Sequence, residues 1–361
     1  MFNADELSEF QRMTWGRQPK VFRQAIDVTA FPISTSQLAE LTGDELVESR
    51  MITGELELVH GPFESDGDTS AHLPANTMLM IQCLEQHLQV ARDLVNRKFS
   101  FLPSWQLDDV MASYGNDGAN CGAHFDKYDV FLVQHTGHKV WHLDNGGHHE
   151  SDLEDNADVR LLAAFSPTTT VVTEPGDVLY VPPGFGHHGI CEGDSITLSV
   201  GIRNPTIAEL LADLSEFAMY AMETNPTMTS QLFANEYNID GDVISQIAGS
   251  MNDVINLDLL RSWFGSYSSR LRAPELLSRY ALDPPPDLTP GVVLLATLPS
   301  RFTSAEHTLF ANGEFFTLEP SDQEWIKKLI SDREFTLGTD VSTAGLQCLE
   351  QLLSSGALQV R

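Results

Sequence analysis

Apolar residues recur with a helical period in the first hundred residues of the chain. The clearest case is Asn76–Phe99, where apolar residues return every three or four positions, which predicts an amphipathic helix. The residues of this apolar stripe are Met80, Ile81, Leu84, Leu88 and Val95. The pattern before Trp105 therefore predicts a mixed region with helical stretches.

The pattern changes to short strands from Trp105 onwards. Runs rich in β-branched and aromatic residues are separated by Gly or Pro turns, which is typical of strands. The predicted strands are Gln106–Tyr114, Asp129–His135, Lys139–Leu143, Thr169–Thr173, Val178–Val181 and Ser195–Ile202. Short strands at this spacing, with a Pro-Gly-Asp turn at residues 175–177, predict a double-stranded β-helix of the jelly-roll or cupin type.

The pattern becomes helical again after Asn204-Pro205. Thr206 and Glu209 have the spacing of a capping box, and an apolar stripe follows them. The stripe consists of Ile207, Leu210, Leu211, Leu214, Phe217 and Ala218. Helices are predicted in pieces to about Tyr280, and the stripe fits either ordinary core or a dimer surface.

A proline-rich linker, Asp283–Asp287, precedes the C-terminal region. The elements predicted there are a strand at Val292–Leu298, a hairpin turn at Asn312-Gly313, and helices at Ser321–Ser331 and Val341–Ser354. They fit a small α+β domain of winged-helix type. Ser321 and Glu324 have the spacing to cap the first of these helices. That helix offers only Lys327 and Lys328 as cations, which favours protein contact or structural support over DNA binding.

Charge excludes one class of partner. The chain has 361 residues and a formal net charge of −30, which argues against direct binding to a nucleic-acid backbone. Residues 144–158 carry six carboxylates and no Lys or Arg. This acidity indicates either a solvated surface or one that attracts a basic protein partner.

Location follows from the lack of hydrophobic and targeting segments. No run approaches the ~18 apolar residues of a membrane span, and the polar start Met1–Glu6 is no signal peptide. We therefore expect no membrane partner and a cytoplasmic protein. The four cysteines have no ligand-like spacing and are expected to be reduced thiols.

His124-Phe125-Asp126 carries the chemistry most specific to this chain. Successive side chains of a strand point to opposite faces, so His124 and Asp126 point the same way. The segment Glu174–His187 predicts a turn, a buried strand and a Pro-Gly exit that delivers a third ligand, His187. Its neighbour His188 would face away. Two imidazoles and one carboxylate cover one face of an octahedron and leave three positions open, as in non-haem Fe(II) oxygenases.

Lys139 supplies a second element of the same chemistry. An oxygenase of this class uses 2-oxoglutarate, which chelates the metal through its 1-carboxylate and 2-keto oxygens. The distal 5-carboxylate then needs a buried cation, because an uncompensated charge there would be costly. Lys139, on a strand next to the predicted ligands, fits this role. The alternative is that Lys139 is a surface lysine whose aliphatic stem packs on apolar residues while its ammonium reaches water.

With these residues, the chain resembles the Jumonji-C ribosomal oxygenases. The resemblance extends over nearly the whole chain and includes blocks with no generic role in metal binding. The blocks are Trp15, Pro19, His60–Ser65, Leu102–Ser113, His124–Phe131, Pro182–Phe185, Ser199–Gly201 and Ala311–Glu314. It implies an α+β protein with a Jumonji barrel in residues 1–204, a helical dimerisation region in 205–282 and a winged helix in 283–361.

The resemblance also implies roles for individual residues. His124, Asp126 and His187 correspond to the iron ligands of the family, and Ser113 matches a position near the cosubstrate. Lys139 falls where the family places its basic partner for 2-oxoglutarate. The similar bacterial protein has arginine there, and the two cations are not equivalent in geometry. A further departure is Gly186, where that protein has proline.

The function that the resemblance implies is hydroxylation of an arginine side chain in the sixteenth protein of the large ribosomal subunit. Fe(II) is the implied cofactor, 2-oxoglutarate and O2 are the cosubstrates, and a homodimer is expected. A cationic arginine needs negative or polar neighbours, for which Asp117 and Tyr128 are the candidates. The acidic surface agrees with a basic ribosomal partner.

Two alternatives stay open from the sequence. The same metal centre would serve an oxygenase that acts on histidine, methyl-lysine or a small molecule. A cupin without cosubstrate, acting as a non-catalytic protein-binding dimer, is the alternative outside the oxygenases.

Overall fold

The computed structural model describes residues 4–63, 73–155, 159–221 and 241–361. The chain separates into two compact units, Met1–Asn204 and Pro205–Arg361. The position 283, predicted as a further boundary, lies inside the second unit. No helix in the described ranges has both the length and the apolar character needed to cross a bilayer.

The first unit combines short helices with a large antiparallel sheet. Its helices are α1 (Ala4–Met13), α2 (Thr35–Thr42), α3 (Leu84–His87) and α4 (Gln89–Lys98). Its strands are β1 (Lys20–Phe22), β2 (Ser49–Ile52), β3 (Leu58–His60), β4 (Met78–Ile81), β5 (Leu107–Gly115), β6 (Asp129–Leu143), β7 (Thr169–Thr173), β8 (Val178–Val181) and β9 (His187–Ile202).

Two long strands organise the sheet. The strand order is β1-β8-β6-β9-β5-β4-β2-β3, and β7 also pairs with β6. β6 pairs with β9 along almost its whole length, with register shifts between Gln134 and His138. On its other edge β6 pairs first with β8 and then with β7. The second half of β6, which carries Lys139, therefore lies beside the start of β9, which carries His187.

The strands agree with the sequence where turns bound them and differ where turns are absent. β7 and β8 have the predicted bounds. The two strands predicted at 129–135 and 139–143 form one strand, and β9 begins at His187 rather than at Ser195. The helix predicted across Asn76–Phe99 is wrong at its start, where all four residues of β4 are buried. A short apolar run fits a buried strand or a helix equally well by periodicity.

An aromatic cluster fixes the N-terminal segment to the sheet. The ring of Phe10 in α1 lies 4.8 Å from Tyr180 and 5.9 Å from Phe131, both fully buried in the sheet. Tyr180 Oη donates to the buried carboxylate of Asp129 and accepts the Gly16 N–H at 2.7 Å. Burial raises the pKa of Asp129, against the hydrogen bonds from Tyr180 and Asn204.

The second unit begins with helices and ends with small sheets. Its helices are α5 (Ile207–Ala221), α6 (Gly241–Val254), α7 (Leu257–Ser269), α8 (Gln323–Asp332) and α9 (Thr343–Ser354). Its strands are β10 (Val293–Ala296), β11 (Phe302–Ala305), β12 (Thr308–Ala311), β13 (Glu314–Thr317), β14 (Glu334–Thr336) and β15 (Leu358–Val360). They form the sheets β14-β10-β15 and β11-β12-β13.

Local signals in the second unit have mixed outcomes. The capping box before α5 is confirmed, since Thr206 N donates to Glu209 Oε2 and Glu209 N donates to Thr206 Oγ1. The hairpin turn at Asn312-Gly313 is confirmed, and both residues have positive φ. The cap predicted at Ser321 is wrong: a 3₁₀ turn occupies Pro320–Asp322, and its capping box uses Glu319 and Asp322.

Candidate metal centre

His124, Asp126 and His187 converge on one point. The three ligand atoms all lie within 4.8 Å of one another. His187 Nε2 is 3.6 Å from Asp126 Oδ2, and the two imidazole centroids are 4.3 Å apart. The main chain holds the pair of histidines together, because His187 N donates to His124 O at 2.8 Å and His124 N to His187 O at 3.1 Å. The convergence expected from the sequence is present.

Both histidines present the same nitrogen to this point. His124 Nδ1 lies 3.0 Å from Gly122 O, and His187 Nδ1 lies 3.1 Å from Phe185 O. A carbonyl can only accept, so each Nδ1 is the donor in this contact, and Nε2 is the nitrogen left to face a metal. Burial, and then the neighbouring His124, lower the pKa of His187 to about 4. Its imidazole is therefore neutral at pH 7, as a metal ligand must be.

The loop 182–186 delivers the third ligand from β8. Gly184 N donates to Asp126 O at 2.8 Å, so the loop is tied to the segment that carries the other two ligands. His188, the rival ligand, points elsewhere: its Nε2 lies 3.1 Å from Asn120 Oδ1. The strand alternation used to choose between the two histidines therefore holds at this position.

A cavity of about 330 Å³ opens beside the three ligands. Every second residue at the middle of β5 faces it, namely Asp109, Met111 and Ser113, while Val110 and Ala112 are buried in the core on the other face. β6 and β9 complete this part of the lining with Lys139, Trp141, Ser199 and Gly201. The candidate metal ligands and the candidate cosubstrate residues named from the sequence thus line one cavity.

Lys139 brings a positive charge into this cavity. Its residue is 4% exposed, and its Nζ lies 5.0 Å from the centroid of the Trp141 ring. No carboxylate in the described ranges forms an ion pair with it. Ser113, 5% exposed, donates its hydroxyl to Thr197 O at 3.3 Å. A buried ammonium in a cavity is chemically matched to an anionic ligand.

The two substrate candidates differ in position. Tyr128 lines the cavity, but Asp117 does not: its Oδ1 accepts the Gly193 N–H at 2.8 Å. The acid found in its place is Asp109, 5% exposed and turned into the cavity. A Cβ on Gly201 would lie 3.3 Å from Asp109 Oδ1 and 3.5 Å from the Tyr128 ring, so glycine keeps open the space between them. Strand parity with Ser113 was the signal that could have found Asp109.

Two imidazoles and a carboxylate beside a cavity define an enzyme of the two-histidine, one-carboxylate metal class, which includes the non-haem iron oxygenases. The model of the JmjC domain family matches residues 94–210. The Escherichia coli protein named ribosomal protein uL16 3-hydroxylase is 30% identical over 339 residues, which cover 85% of this chain and 84% of that protein. The chain therefore belongs to the JmjC-domain ribosomal oxygenases.

Solved structures agree over nearly the full length. The structure of YcfD, a ribosomal oxygenase from E. coli, with cobalt and 2-oxoglutarate has a TM-score of 0.75 and 25% identity, and 98% of each chain is covered. The complex of YcfD with cobalt and succinic acid has a TM-score of 0.75 and 26% identity at the same coverage. The mixed α+β JmjC fold expected from the sequence is confirmed.

Proposed function

We propose that this chain is a 2-oxoglutarate-dependent hydroxylase of ribosomal protein uL16 that hydroxylates an arginine side chain. The observation that carries the proposal is the convergence of His124, Asp126 and His187 beside the buried cation Lys139. It occurs in a chain that is 30% identical, over 85% of its length, to a uL16 3-hydroxylase. The chemistry of the cavity and the sequence similarity both favour 2-oxoglutarate-dependent hydroxylation.

Fe(II) is the metal we assign to the three ligands. Nitrogen and carboxylate donors in this set suit it, and cobalt accompanies 2-oxoglutarate in the similar solved structure. When bound, Fe(II) and 2-oxoglutarate supply the oxidation: O2 gives one oxygen atom to succinate as CO2 leaves and the other to a substrate C–H bond. The protein residues bind, orient and shield the reactants.

Lys139 is assigned to the distal carboxylate of 2-oxoglutarate. Its ammonium is buried and lies near the Trp141 ring, so the charge is held in the cavity rather than extended to solvent. The Ser113 hydroxyl lines the same cavity and can turn its single O–H from Thr197 O toward this carboxylate. A lysine makes point contacts rather than the paired contacts of a guanidinium, so it holds one carboxylate less rigidly.

The substrate arginine is assigned to the Asp109 side of the cavity. Asp109 and Asp126 are the carboxylates in its described lining, and Asp126 is committed to the metal. A guanidinium suits a carboxylate because it donates two parallel hydrogen bonds to it. Tyr128 lines the same space and offers a ring face and a hydroxyl to the same group.

Asp109→Asn is expected to reduce kcat/KM for the ribosomal substrate by roughly 10- to 100-fold. A hydrogen bond to a charged group contributes about 1.5–3 kcal/mol, and the substitution removes the charge but not the shape. The KM for 2-oxoglutarate should stay unchanged, since Lys139 and the metal hold that molecule. Peptide hydroxylation followed at varied concentrations of each substrate separates the two effects.

Asp117→Asn is the matched control for this prediction. It removes a carboxylate of the same type from a position outside the cavity, where its partner is the Gly193 amide. Substrate turnover by this variant should equal that of the wild type. Equal losses in both variants would show that Asp109 acts through the net charge of the protein and not at the substrate.

The reaction itself is tested by anaerobic reconstitution with Fe(II) and 2-oxoglutarate, followed by O2 and a panel of ribosomal peptides. Succinate should form in step with hydroxylation of a uL16 arginine peptide. Succinate formation coupled to a histidine or methyl-lysine peptide would keep the oxygenase and replace the substrate. No oxidation of 2-oxoglutarate under any condition would favour the non-catalytic binding dimer instead.

We also infer that the second unit supplies a dimer surface and a winged helix, corresponding to residues 205–282 and 283–361. Apolar side chains on α5 and α6 are more than half exposed, which is typical of an interaction surface. They are Ile207, Leu211, Met219, Tyr220, Ile244 and Met251. Helices α8 and α9 with two small sheets have the element content of a winged helix.

The wild-type chain is expected to be a dimer in sedimentation-equilibrium measurements, and Leu211→Glu to shift it toward monomer. The charge would enter an apolar contact in which nothing compensates it. Exposed Lys328→Glu on α8 tests whether any added negative charge has this effect. A monomeric wild type would contradict the proposed dimer and would leave the proposed metal centre unaffected.

A further inference from the structure

Asp144 is a buried carboxylate directly after β6, next to the loop 182–186. Its side chain is 8% exposed. Oδ1 accepts the N–H groups of Gly186 at 2.9 Å and Gly146 at 2.8 Å, and Oδ2 lies 2.5 Å from His148 Nε2. Its main-chain N also donates to Gly186 O at 3.1 Å. Asp144 therefore holds Gly186 by both its N–H and its C=O.

The peptide group that Asp144 holds is the one that orients the ligand His187. The N–H of Gly186 and the C=O of Phe185 belong to the same planar peptide unit. That carbonyl lies 3.1 Å from His187 Nδ1. A carboxylate, a peptide group and an imidazole thus form one hydrogen-bonded chain that ends at the Nε2 facing the metal site. Such chains polarise each bond in the same direction and fix the plane of each member.

The packing around Gly186 shows that this contact is close. A Cβ on Gly186 would lie 2.3 Å from Asp144 Oδ2 and 2.9 Å from its Cγ. The φ of Gly186 is not in the left-handed region, so the need for glycine comes from the carboxylate and from Leu162, 3.0 Å away, rather than from backbone strain. Because residue 186 is glycine and has no Cβ, the Asp144 carboxylate can approach its main chain.

We propose that Asp144 is a positioning residue for the metal centre, which sets the orientation of the His187 ligand through the peptide group between Phe185 and Gly186. The inference rests on the proposed function only in taking His187 as a metal ligand. Metal-ligating histidines are commonly oriented by a carboxylate or a carbonyl at the second nitrogen. Here the Asp144 carboxylate accepts the N–H of the peptide group between Phe185 and Gly186, and the C=O of that same peptide group contacts the imidazole.

The test is the affinity of the metal-free protein for Co(II), titrated by its visible absorbance under anaerobic conditions. Asp144→Ala should bind Co(II) about 10-fold or more weakly, because loss of an outer partner of a ligand typically costs 10- to 100-fold in metal affinity. Its absorbance spectrum should also shift, since the imidazole is no longer held in one plane. Asp144→Asn, which keeps an acceptor oxygen, should fall between the wild type and Asp144→Ala.

Asp177→Ala is the matched control. Asp177 is also a buried carboxylate in a turn of the barrel, where it accepts the N–H groups of Gln24 at 2.9 Å and Glu174 at 3.1 Å. Its substitution should lower the melting temperature as Asp144→Ala does, but it should leave Co(II) affinity and the spectrum unchanged. A purely structural role for Asp144 predicts that the two variants behave alike in both measurements.

Gly186→Ala gives an independent arm that does not remove the carboxylate. In the otherwise wild-type protein, the added methyl group should displace the Asp144 side chain and weaken Co(II) binding. In the Asp144→Ala background the carboxylate is gone and only the end of the Leu162 side chain, 3.0 Å away, must shift, so the second substitution should cost little more. If Asp144→Ala does not fold, Asp144→Asn and the single variant Gly186→Ala still test the positioning role.

The outcomes separate the two proposals. A wild type that does not bind Co(II) contradicts the proposed metal centre. A wild type that binds Co(II), with folded Asp144 and Gly186 variants of equal affinity and spectrum, overturns the positioning role and leaves the proposed function in place.

Discussion

Replacing His187 by alanine is expected to reduce succinate formation from 2-oxoglutarate by about a thousand-fold or more. The metal supplies several kcal/mol of stabilisation to the reaction, and each 1.4 kcal/mol lost is a factor of ten in rate. Without His187 the metal would keep one imidazole and one carboxylate, too few donors to hold it at this point. The measurement is succinate formed per enzyme with saturating uL16 peptide, Fe(II) and 2-oxoglutarate.

His188→Ala is the control that makes this result specific. The two histidines are adjacent, but the His188 imidazole contacts Asn120 and not the other ligands. Its loss should leave turnover within a few-fold of the wild type, since neutral substitutions away from a site have small effects. If His188→Ala were inactive and His187→Ala active, the direction assigned to β9 at its first residue would be wrong.

Lys139→Ala is expected to raise the KM for 2-oxoglutarate by about a hundred-fold. Truncating one partner of a buried charge pair costs about 2–5 kcal/mol, much of it from the charge left without a partner. Here that charge is the distal carboxylate of the cosubstrate. Lys139→Arg should recover most of the affinity, because a guanidinium also pairs with a carboxylate. Steady-state kinetics at varied 2-oxoglutarate concentration measure both effects.

The control for Lys139 is an exposed lysine close to the ligands in sequence. Lys127 directly follows Asp126, its side chain is 62% exposed, and it pairs with Glu150 at the surface. Lys127→Ala should leave the KM for 2-oxoglutarate unchanged, since surface ion pairs contribute little. An unchanged KM in Lys139→Ala would remove Lys139 from cosubstrate binding, while the metal ligands would be unaffected.

The convergence of His124, Asp126 and His187 was accessible from sequence because local rules place its parts. The strand expected at His124–Asp126 is wrong, however, since these residues lie outside the named strands and His124 forms only an isolated bridge to His187. The two side chains still reach one point, and β8 is bounded by turns that fix where His187 emerges. β7 and β8, which lie between Gly or Pro turns, are the strands whose bounds the sequence predicts correctly. The aromatic and β-branched content of β7 and β8 leaves no competing helical interpretation.

The acid that lines the cavity, proposed here to bind the substrate, was not accessible in the same way. Asp109 lies near the start of β5, and Asp117 lies two residues beyond its end. Strand parity with Ser113 favours Asp109, but the register of β5 decides whether that parity holds. That register contains an irregularity between Leu107 and Val110, which no local pattern reveals. Asp117 lies beyond the strand, where the Gly193 amide takes its carboxylate out of the cavity.

The contacts of Asp144 could not be predicted from sequence either, because its partner is distant along the chain. In the sequence it reads as one acid among the six between residues 144 and 158. Its partner Gly186 lies 42 positions away, and the two meet because β6 and β9 pair along their length. Contacts of this kind come from sheet topology, so they emerge only when the strand order is known.

Mass spectrometry of uL16 tests the central claim most directly. Ribosomal protein uL16, incubated with this enzyme, Fe(II), 2-oxoglutarate and O2, should gain the mass of one oxygen atom on a single arginine. Omitting 2-oxoglutarate or using His187→Ala should leave the mass of uL16 unchanged. An unmodified uL16 with the complete mixture, while 2-oxoglutarate is consumed, would contradict the proposed substrate.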